Sequence, residues 1–340
     1  DFMTSFREKN RSILVYKNKD AFTLKQYNAG SVVQENSLDL SSDKSIDNFL
    51  DNEHISAVKS DEFIANGSTS NFKGYLHGHT IYLTKELSKP NATKLLPLNF
   101  SNSDGLIKTK PLQTFRNSSA TRLKKHTSFI KDDQLFQLTI GKKAGQISIN
   151  NIGTGEIQNT IDLTRLSSEN IKGNSSFNGL PQYLKNASKH KYIPTITVNE
   201  ASDQMLRVRI DYVDATYTYH NDWWFHHQLF LMHNQMMHQM NFSAPSGFGP
   251  RAIDETPFET AKIMKEERFF ELVIDTNGAL LNNELPNSIH KEVSKKEYID
   301  KLEAVKDLKF ESTCFLKDTF RYIAYSKSLK KYIIKSNTIK

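Results

Sequence analysis

A hairpin-like phrase occurs twice in this 340-residue chain, and it limits the possible folds more than any other feature. Each copy has Phe, an aliphatic residue, Lys and Asp, then a strand-like run, a polar turn and a second strand-like run. The copies cover residues 128–149 and 313–334, and residues 228–242 form a third, looser copy. Because a single hairpin cannot bury its apolar face, repeated hairpins indicate sheets stacked around shared cores.

Short alternating or apolar runs bounded by polar turns extend this β signal. They lie at residues 12–16, 80–83, 134–140, 195–198, 206–210, 270–274 and 321–325. Such runs are typical of antiparallel strands. Helical spacing is confined to residues 45–53, 181–188 and 294–305. The sequence therefore predicts an all-β, β-propeller-like fold of repeated antiparallel hairpins with a few short helices. A β-sandwich or two β domains are the alternatives.

A second repeated pattern consists of a strand, a glycine-containing turn and another strand. It occurs at residues 149–157 and 273–280. The glycines predict turns that need a positive φ. The runs KDDQLFQL, GQISINNIGTGEI and RFFELVIDTNGALLNNELP resemble blades of six- or seven-bladed β-propellers of the TolB-like or NHL-like type, found in surface lipoproteins of Bacteroidetes. Residues 20–75 and 98–125 lack this pattern. The resemblance implies one propeller-like domain over residues 1–340.

The net charge and the start of the chain bear on where the protein is located and what it binds. The net charge is +7, and the lysines form only short clusters, at residues 122–126 and 327–335. This distribution argues against nucleic acid as a partner and predicts weak attraction to acidic surfaces. No run reaches the roughly 20 apolar residues of a membrane-spanning helix. The start at Asp1, without a visible signal peptide, favours a processed, exported chain that an upstream lipid could anchor. We expect an extracytoplasmic protein at the outer membrane or cell surface.

The segment 219–240 concentrates aromatic, His and Met residues and is the predicted binding region. The candidate ligand-binding residues are Trp223, Trp224, His226 and His227, because an indole face can stack on a sugar ring. The candidate metal ligands are His233, Met236, His238 and Met240, since imidazole and thioether suit copper, especially Cu(I). Packing in the core is the alternative for the same side chains. No other cofactor is expected, and the single cysteine, Cys314, is predicted to be a buried apolar residue.

Sequence signatures of catalysis are absent, and this favours a binding function. The chain has no zincin, nucleophile-elbow or phosphate-loop motif, and the pair Asp132 and Asp133 fits an ordinary turn. We therefore predict an extracytoplasmic binding or assembly module, an accessory subunit that contacts another protein of a cell-envelope complex. A glycan is the alternative partner. A glycan-active lyase or hydrolase on a propeller scaffold is one alternative, and a copper-binding protein is the other. Residues 32–71 and 97–127 are predicted to be irregular and available to a partner.

The C-terminal hairpin is predicted to be part of the fold. Alternation along residues 320–334 suggests that Tyr322, Ala324, Tyr332 and Ile334 share one buried face. A terminal strand that pairs in this way removes a free sheet edge.

Overall fold

The computed structural model describes residues 1–338 except for several gaps. The gaps are residues 9–10, 29–30, 42, 52–53, 59–68, 89–90, 102–103, 117–123, 172–178, 203, 215–268, 283–303 and 316–318. Within the described ranges, no helix is long and apolar enough to cross a membrane.

The first two sheets come from the N-terminal 116 residues. Sheet 1 contains β1 (Phe2–Glu8), β2 (Arg11–Lys17), β3 (Ala21–Asn28) and β4 (Ser31–Asp39) in that order. Sheet 2 contains β5 (Ser56–Val58), β6 (Phe72–His77), β7 (Thr80–Ser88), β8 (Asn91–Asn99), β9 (Lys108–Thr109) and β10 (Gln113–Arg116). All their neighbouring strands are antiparallel except β5 and β6, which are parallel.

Three further sheets follow in chain order. Sheet 3 contains β11 (Lys125–Lys131), β12 (Gln134–Ile140), β13 (Gly145–Asn151) and β14 (Ile157–Asp162). Sheet 4 contains β15 (Tyr192–Ser202), β16 (Met205–Asp214), β17 (Phe269–Asp275) and β18 (Leu280–Leu281). Sheet 5 contains β19 (Leu308–Phe315), β20 (Thr319–Ser326) and β21 (Lys331–Thr338).

Helices are short in the described part of the chain. They are α1 (Lys44–Phe49), a 3-10 helix (Leu163–Arg165) and α2 (Leu180–Ala187). Asp43 caps α1, because its carboxylate accepts hydrogen bonds from the backbone N–H groups of Ser45 and Ile46. The buried Tyr183 of α2 donates a hydrogen bond to the Ile210 carbonyl oxygen at 3.1 Å, which ties this helix to sheet 4. The predicted helices at 45–53 and 181–188 correspond to α1 and α2, although α1 ends at Phe49. Most of the predicted helix at 294–305 lies outside the described residues.

Sheet 2 contributes to two hydrophobic cores because successive side chains of its strands point to opposite faces. In β7, Ile81 and Leu83 join the core shared with sheet 1, which includes Phe22 and Leu24. On the opposite face of sheet 2, Tyr75 joins the core shared with sheets 3 and 4. A sheet covered on both faces is the arrangement of a stacked blade. The all-β, propeller-like prediction is confirmed, with five sheets in the described residues.

Most of the predicted strands and turns are present. The run 134–140 is β12 with the same bounds, and the repeats at 128–149 and 313–334 form β11 to β13 and β19 to β21. Gly155 and Gly278 have φ values of +79° and +85°, as the turn phrase predicts. The third copy of the hairpin, at 228–242, lies outside the described residues.

Two sequence predictions about surfaces are wrong. The stretches 32–71 and 97–127 are not irregular throughout, since they include strands such as β4 and β10. In β4 the polar Asn36 is buried, which hides the apolar alternation of a strand. Tyr322 and Ala324 are buried as predicted, but Tyr332 and Ile334 are exposed. The register explains this error, since it places Tyr332 opposite Tyr325 rather than beside Tyr322, and directly opposite residues share a face.

Candidate functional site

A cleft of about 340 Å³ opens between sheets 2 and 3. This volume is at the small end of the range of about 300–1,000 Å³ for small-molecule sites. Its lining combines hydroxyl, amide, carboxylate and ammonium groups with apolar residues: Thr80, Tyr82, Pro97, Asn99, Lys108, Lys110, Asp133, Asn151, Ile152 and Gly153.

Strand ends and turns bring these side chains together. Thr80 begins β7 and Asn99 ends β8, and the two residues are directly opposite each other in sheet 2. In sheet 3, Asp133 occupies the β11–β12 turn and Asn151 ends β13. Because neighbouring strands are antiparallel, the start of one strand and the end of the next meet at the same end of the sheet.

The β11–β12 turn holds Asp133 at the mouth of the cleft. Lys131 and Gln134 pair directly, so that Asp132 and Asp133 form a two-residue turn, and Asp132 has a φ of +52°. Turns of this length need left-handed residues, which Asp tolerates better than most. The backbone N–H of Ile152 donates a hydrogen bond of 2.9 Å to the Asp133 carbonyl oxygen. The backbone is thus fixed while the Asp133 side chain stays exposed to solvent.

Tyr82 keeps its proton in this environment. Burial raises the pKa of the Tyr82 phenol, and the negative charge of Asp133 raises it further. A protonated phenol can both donate and accept a hydrogen bond, whereas an ionised carboxylate such as Asp133 only accepts. The cleft therefore presents a donor and an acceptor close to each other.

Internal hydrogen bonds orient the amide side chains of the cleft. Asn99 donates to the Thr80 hydroxyl at 3.1 Å and accepts from the Ser101 backbone N–H at 3.1 Å. Asn151 accepts from the Thr154 backbone N–H at 2.9 Å. Side chains held in this way lose little conformational entropy when a ligand binds.

Apolar and cationic groups complete the cleft. Pro97 and Ile152 are buried and supply apolar surface, while Lys108 and Lys110 are exposed. This lining can hydrogen-bond hydroxyl groups of a ligand and also contact an apolar face. Pyranose rings have both, because their axial C–H groups form a face between equatorial hydroxyls.

Farther along the same sheet interface lies a buried ion-pair network. Lys73 donates to Glu86 at 3.0 Å, to the Thr127 hydroxyl at 2.9 Å and to the Ser128 carbonyl oxygen at 2.7 Å. The His126 Nε2 atom lies 3.0 Å from the second oxygen of Glu86. We define Lys73, Glu86 and His126 as the buried triad. All three side chains are at least 96% buried, with exposures of 1%, 4% and 2%.

The triad holds Glu86 in its ionised form. Burial acts to raise the pKa of Glu86, but the positive charge of Lys73 and the hydrogen bonds from His126 and Ser128 lower it well below its usual range. Both Glu86 oxygens have partners, including the Ser128 backbone N–H at 2.8 Å. A charge satisfied so completely and shielded from solvent joins two sheets and is not accessible to a ligand.

The sequence-predicted site residues cannot be placed in the fold. Trp223, Trp224, His226 and His227, and the metal candidates His233, Met236, His238 and Met240, all lie outside the described residues. Among the residues that are described, no three His, Cys, Asp or Glu side chains are grouped as metal ligands would be. Cys314 lies in β19.

Sequence reasoning missed the cleft, although its clearest residue was visible. The pair Asp132 and Asp133 fits a turn, and the structure confirms the turn, but it also places Asp133 beside Tyr82. The signal that could have been used is the second acidic residue of this turn. Asp132 is the residue with a positive φ, so the turn itself does not explain why position 133 is also Asp. Nothing in the spacing shows that residues 51 positions apart would meet.

Comparison with known proteins gives no family. No protein-family model and no curated protein matches the chain. Among solved structures, a GH43 β-1,3-galactosidase overlaps 61% of this chain and 39% of its own, with 10% identity and a TM-score of 0.27. The GH43 protein BlXynB from Bacillus licheniformis overlaps 64% of this chain and 42% of its own, with 10% identity and a TM-score of 0.22. The chain thus spans about two fifths of their length, and TM-scores this low support no conclusion about its activity.

Proposed function

We propose that the protein binds a saccharide in the cleft between sheets 2 and 3 and does not cleave it. The observation that carries this proposal is that one cleft is lined by the Asp133 carboxylate, the Tyr82 phenol and the apolar Pro97 and Ile152. A carboxylate accepts hydrogen bonds from two neighbouring sugar hydroxyls, and a phenol can donate to a third or to a ring oxygen. Pro97 and Ile152 match the C–H face of the ring.

The carboxylates of the cleft favour binding over hydrolysis. Most glycosidases use two carboxyl groups about 5–10 Å apart across the scissile bond. Of the described residues that line this cleft, only Asp133 carries a carboxylate. A binding module needs one acceptor of this kind, so the chemistry of the lining fits recognition.

This proposal makes the partner a glycan, whereas the sequence favoured a protein of an envelope complex over a glycan. The extracytoplasmic location, the envelope association and the TolB-like or NHL-like type of propeller remain proposals that fit a glycan-binding surface protein. The glycan-active enzyme is the second candidate, and it differs from the first in predicting release of sugar.

Paired Asp variants in one turn test the proposal. A screen against immobilised mono- and oligosaccharides identifies the ligand, and titration calorimetry then compares D133N with D132N. Hydrogen bonds to a charged group contribute about 1.5–3 kcal/mol, so D133N should weaken binding roughly 10- to 150-fold. D132N should leave affinity unchanged, because Asp132 is exposed, pairs with Lys131 and does not line the cleft.

Three results would count against saccharide binding in this cleft. One is a failure to bind any saccharide in the screen, and another is an equal loss of affinity in the D132N and D133N variants. The third is sugar release by the wild type that D133N abolishes, which would establish the enzyme. Thermal unfolding of both variants checks that each is folded.

A further inference from the structure

The second hairpin of sheet 5 exposes an apolar patch that is unusual for a protein surface. Ile323, Leu329, Tyr332 and Ile334 have 40%, 59%, 64% and 72% of their surface exposed. We call these four residues the hairpin patch. Large exposed apolar patches bordered by polar residues mark sites that contact another molecule or a membrane.

Strand register places the members of the hairpin patch together. Ile323 is directly opposite Ile334, and Tyr325 is opposite Tyr332, with ring centroids 5.4 Å apart. Directly opposite residues have side chains on the same face, so Ile334 and Tyr332 cover one side of the hairpin. Leu329 lies in the turn at residues 327–330, at the tip of the same hairpin.

The tip is held in a fixed shape by Asp307. Its carboxylate accepts hydrogen bonds from the Ser326 hydroxyl at 2.7 Å and from the Ser328 backbone N–H at 2.8 Å. Lys330 occupies the left-handed region with a φ of +51°. A non-glycine residue in this region costs about 1–2 kcal/mol, which the surrounding hydrogen bonds must offset. The exposed Leu329 therefore lies in a turn whose backbone is hydrogen-bonded to Asp307.

Three lysines and the Asp307 carboxylate surround the hairpin patch, so its surroundings carry a net positive charge. Lys327 and Lys330 lie in the turn beside Leu329, and Lys309 pairs with Tyr325, so it shares the face of Tyr332. Lys331 and Lys335 pair with Ser326 and Tyr322 and lie on the opposite face. Lys309, Lys327 and Lys330 are exposed. A surface that complements this hairpin must be negatively charged and must also accept apolar side chains.

We propose that the hairpin patch docks the protein onto an anionic lipid membrane, with Leu329 at the point of insertion. An apolar side chain at the tip of a hairpin can enter a fluid bilayer interface without a preformed pocket. An acidic protein partner would have to supply such a pocket. Tyr side chains favour the headgroup region of a bilayer, where the ring is apolar and the hydroxyl stays hydrated. Lysines near the surface of an anionic bilayer each contribute about a fivefold gain in binding at low salt.

This inference is independent of the saccharide site. The cleft belongs to sheets 2 and 3, and the hairpin patch belongs to sheet 5. Variants of one region can therefore be tested for the function of the other.

Vesicle flotation tests the proposal with the full chain. The wild type should bind vesicles of phosphatidylcholine mixed with phosphatidylglycerol and should not bind phosphatidylcholine alone. Replacing the three lysines of the patch face and tip, as K309Q/K327Q/K330Q, should weaken binding on the order of 100-fold. The apolar variant L329S/Y332S/I334S should also lose binding, and high salt should weaken wild-type binding because salt screens exposed charges.

A matched control comes from sheet 1. Val32 and Val33 are exposed by 53% and 60%, but they are followed by Glu35 and lack a group of lysines. V32S/V33S should bind anionic vesicles like the wild type. The proposal would be overturned if the wild type bound neither vesicle type or bound both equally well. It would also be overturned if both hairpin variants bound anionic vesicles as well as the wild type. So would a dimer in sedimentation velocity that the apolar variant dissociates, since the patch would then join two copies.

Discussion

Replacing Lys73 by methionine should destabilise the protein more than any other single lysine substitution in the described core. The side chain is buried between sheets 2 and 3 and donates three hydrogen bonds, to Glu86, to Thr127 and to Ser128. Methionine fills nearly the same volume but donates none of them. Glu86 would then be left as a buried negative charge with reduced compensation.

The magnitude follows from the geometry of the triad. Removing one partner of a buried ion pair costs about 3–5 kcal/mol, because the remaining charge stays desolvated. In K73M, His126 Nε2 would still lie 3.0 Å from Glu86 and would partly offset its negative charge. We therefore expect the loss in the free energy of unfolding to be near the lower end of this range, about 3 kcal/mol. A second variant, K73M/E86Q, removes both charges. Its loss of stability should be about 1–3 kcal/mol smaller than the sum of the losses of K73M and E86Q.

Urea unfolding followed by circular dichroism measures both effects. The control is K25M, because Lys25 pairs with Glu35 at 3.2 Å on the exposed surface of sheet 1. Exposed ion pairs contribute little, so K25M should unfold at the wild-type midpoint. If K73M also unfolds at that midpoint, or if the two substitutions at 73 and 86 are additive, the triad does not hold the sheets together.

Two further predictions concern pH and backbone conformation. Lys73 and His126 lower the pKa of the buried Glu86 below its ordinary value of about 4.3, so the carboxylate stabilises the fold above that value and the stability is lost as pH falls below it. Wild-type stability should therefore fall more steeply than that of E86Q in urea unfolding between about pH 6 and pH 3, and parallel curves would contradict this. G278A should cost about 1–3 kcal/mol more than G155A in the same assay, since a Cβ at 278 would lie 2.5 Å from Ile149 Cδ1, whereas nothing lies within 4 Å at Gly155. Equal losses would show that the positive φ alone sets the cost.

Local sequence was sufficient for much of the secondary structure. Residues 134–140 are rich in residues that favour strands and are bounded by turn residues. They form β12 with the predicted bounds. Glycine-containing turns were also predictable, because a positive φ is a local requirement that Gly155 and Gly278 meet. β3 and β4 were missed because buried Gln26 and Asn36 interrupt their apolar pattern. These two side chains satisfy each other by a hydrogen bond of 3.3 Å.

The candidate site could not be predicted from local sequence. Tyr82 and Asp133 meet only because sheets 2 and 3 stack, and Lys73 finds Glu86 and His126 for the same reason. In each case, a polar residue that looks ordinary in its own strand acquires its role from a neighbouring sheet.

The sequence by itself determined the β class, the hairpin repeat and the glycine turns, since these depend on residues within a few positions of each other. Tertiary structure alone decided which face of each strand is buried. Tyr332 and Ile334 have the alternation of a core strand, yet the register with β20 turns them towards solvent. Alternation distinguishes two faces of a strand but does not say which face another sheet will cover, because that depends on packing between distant segments.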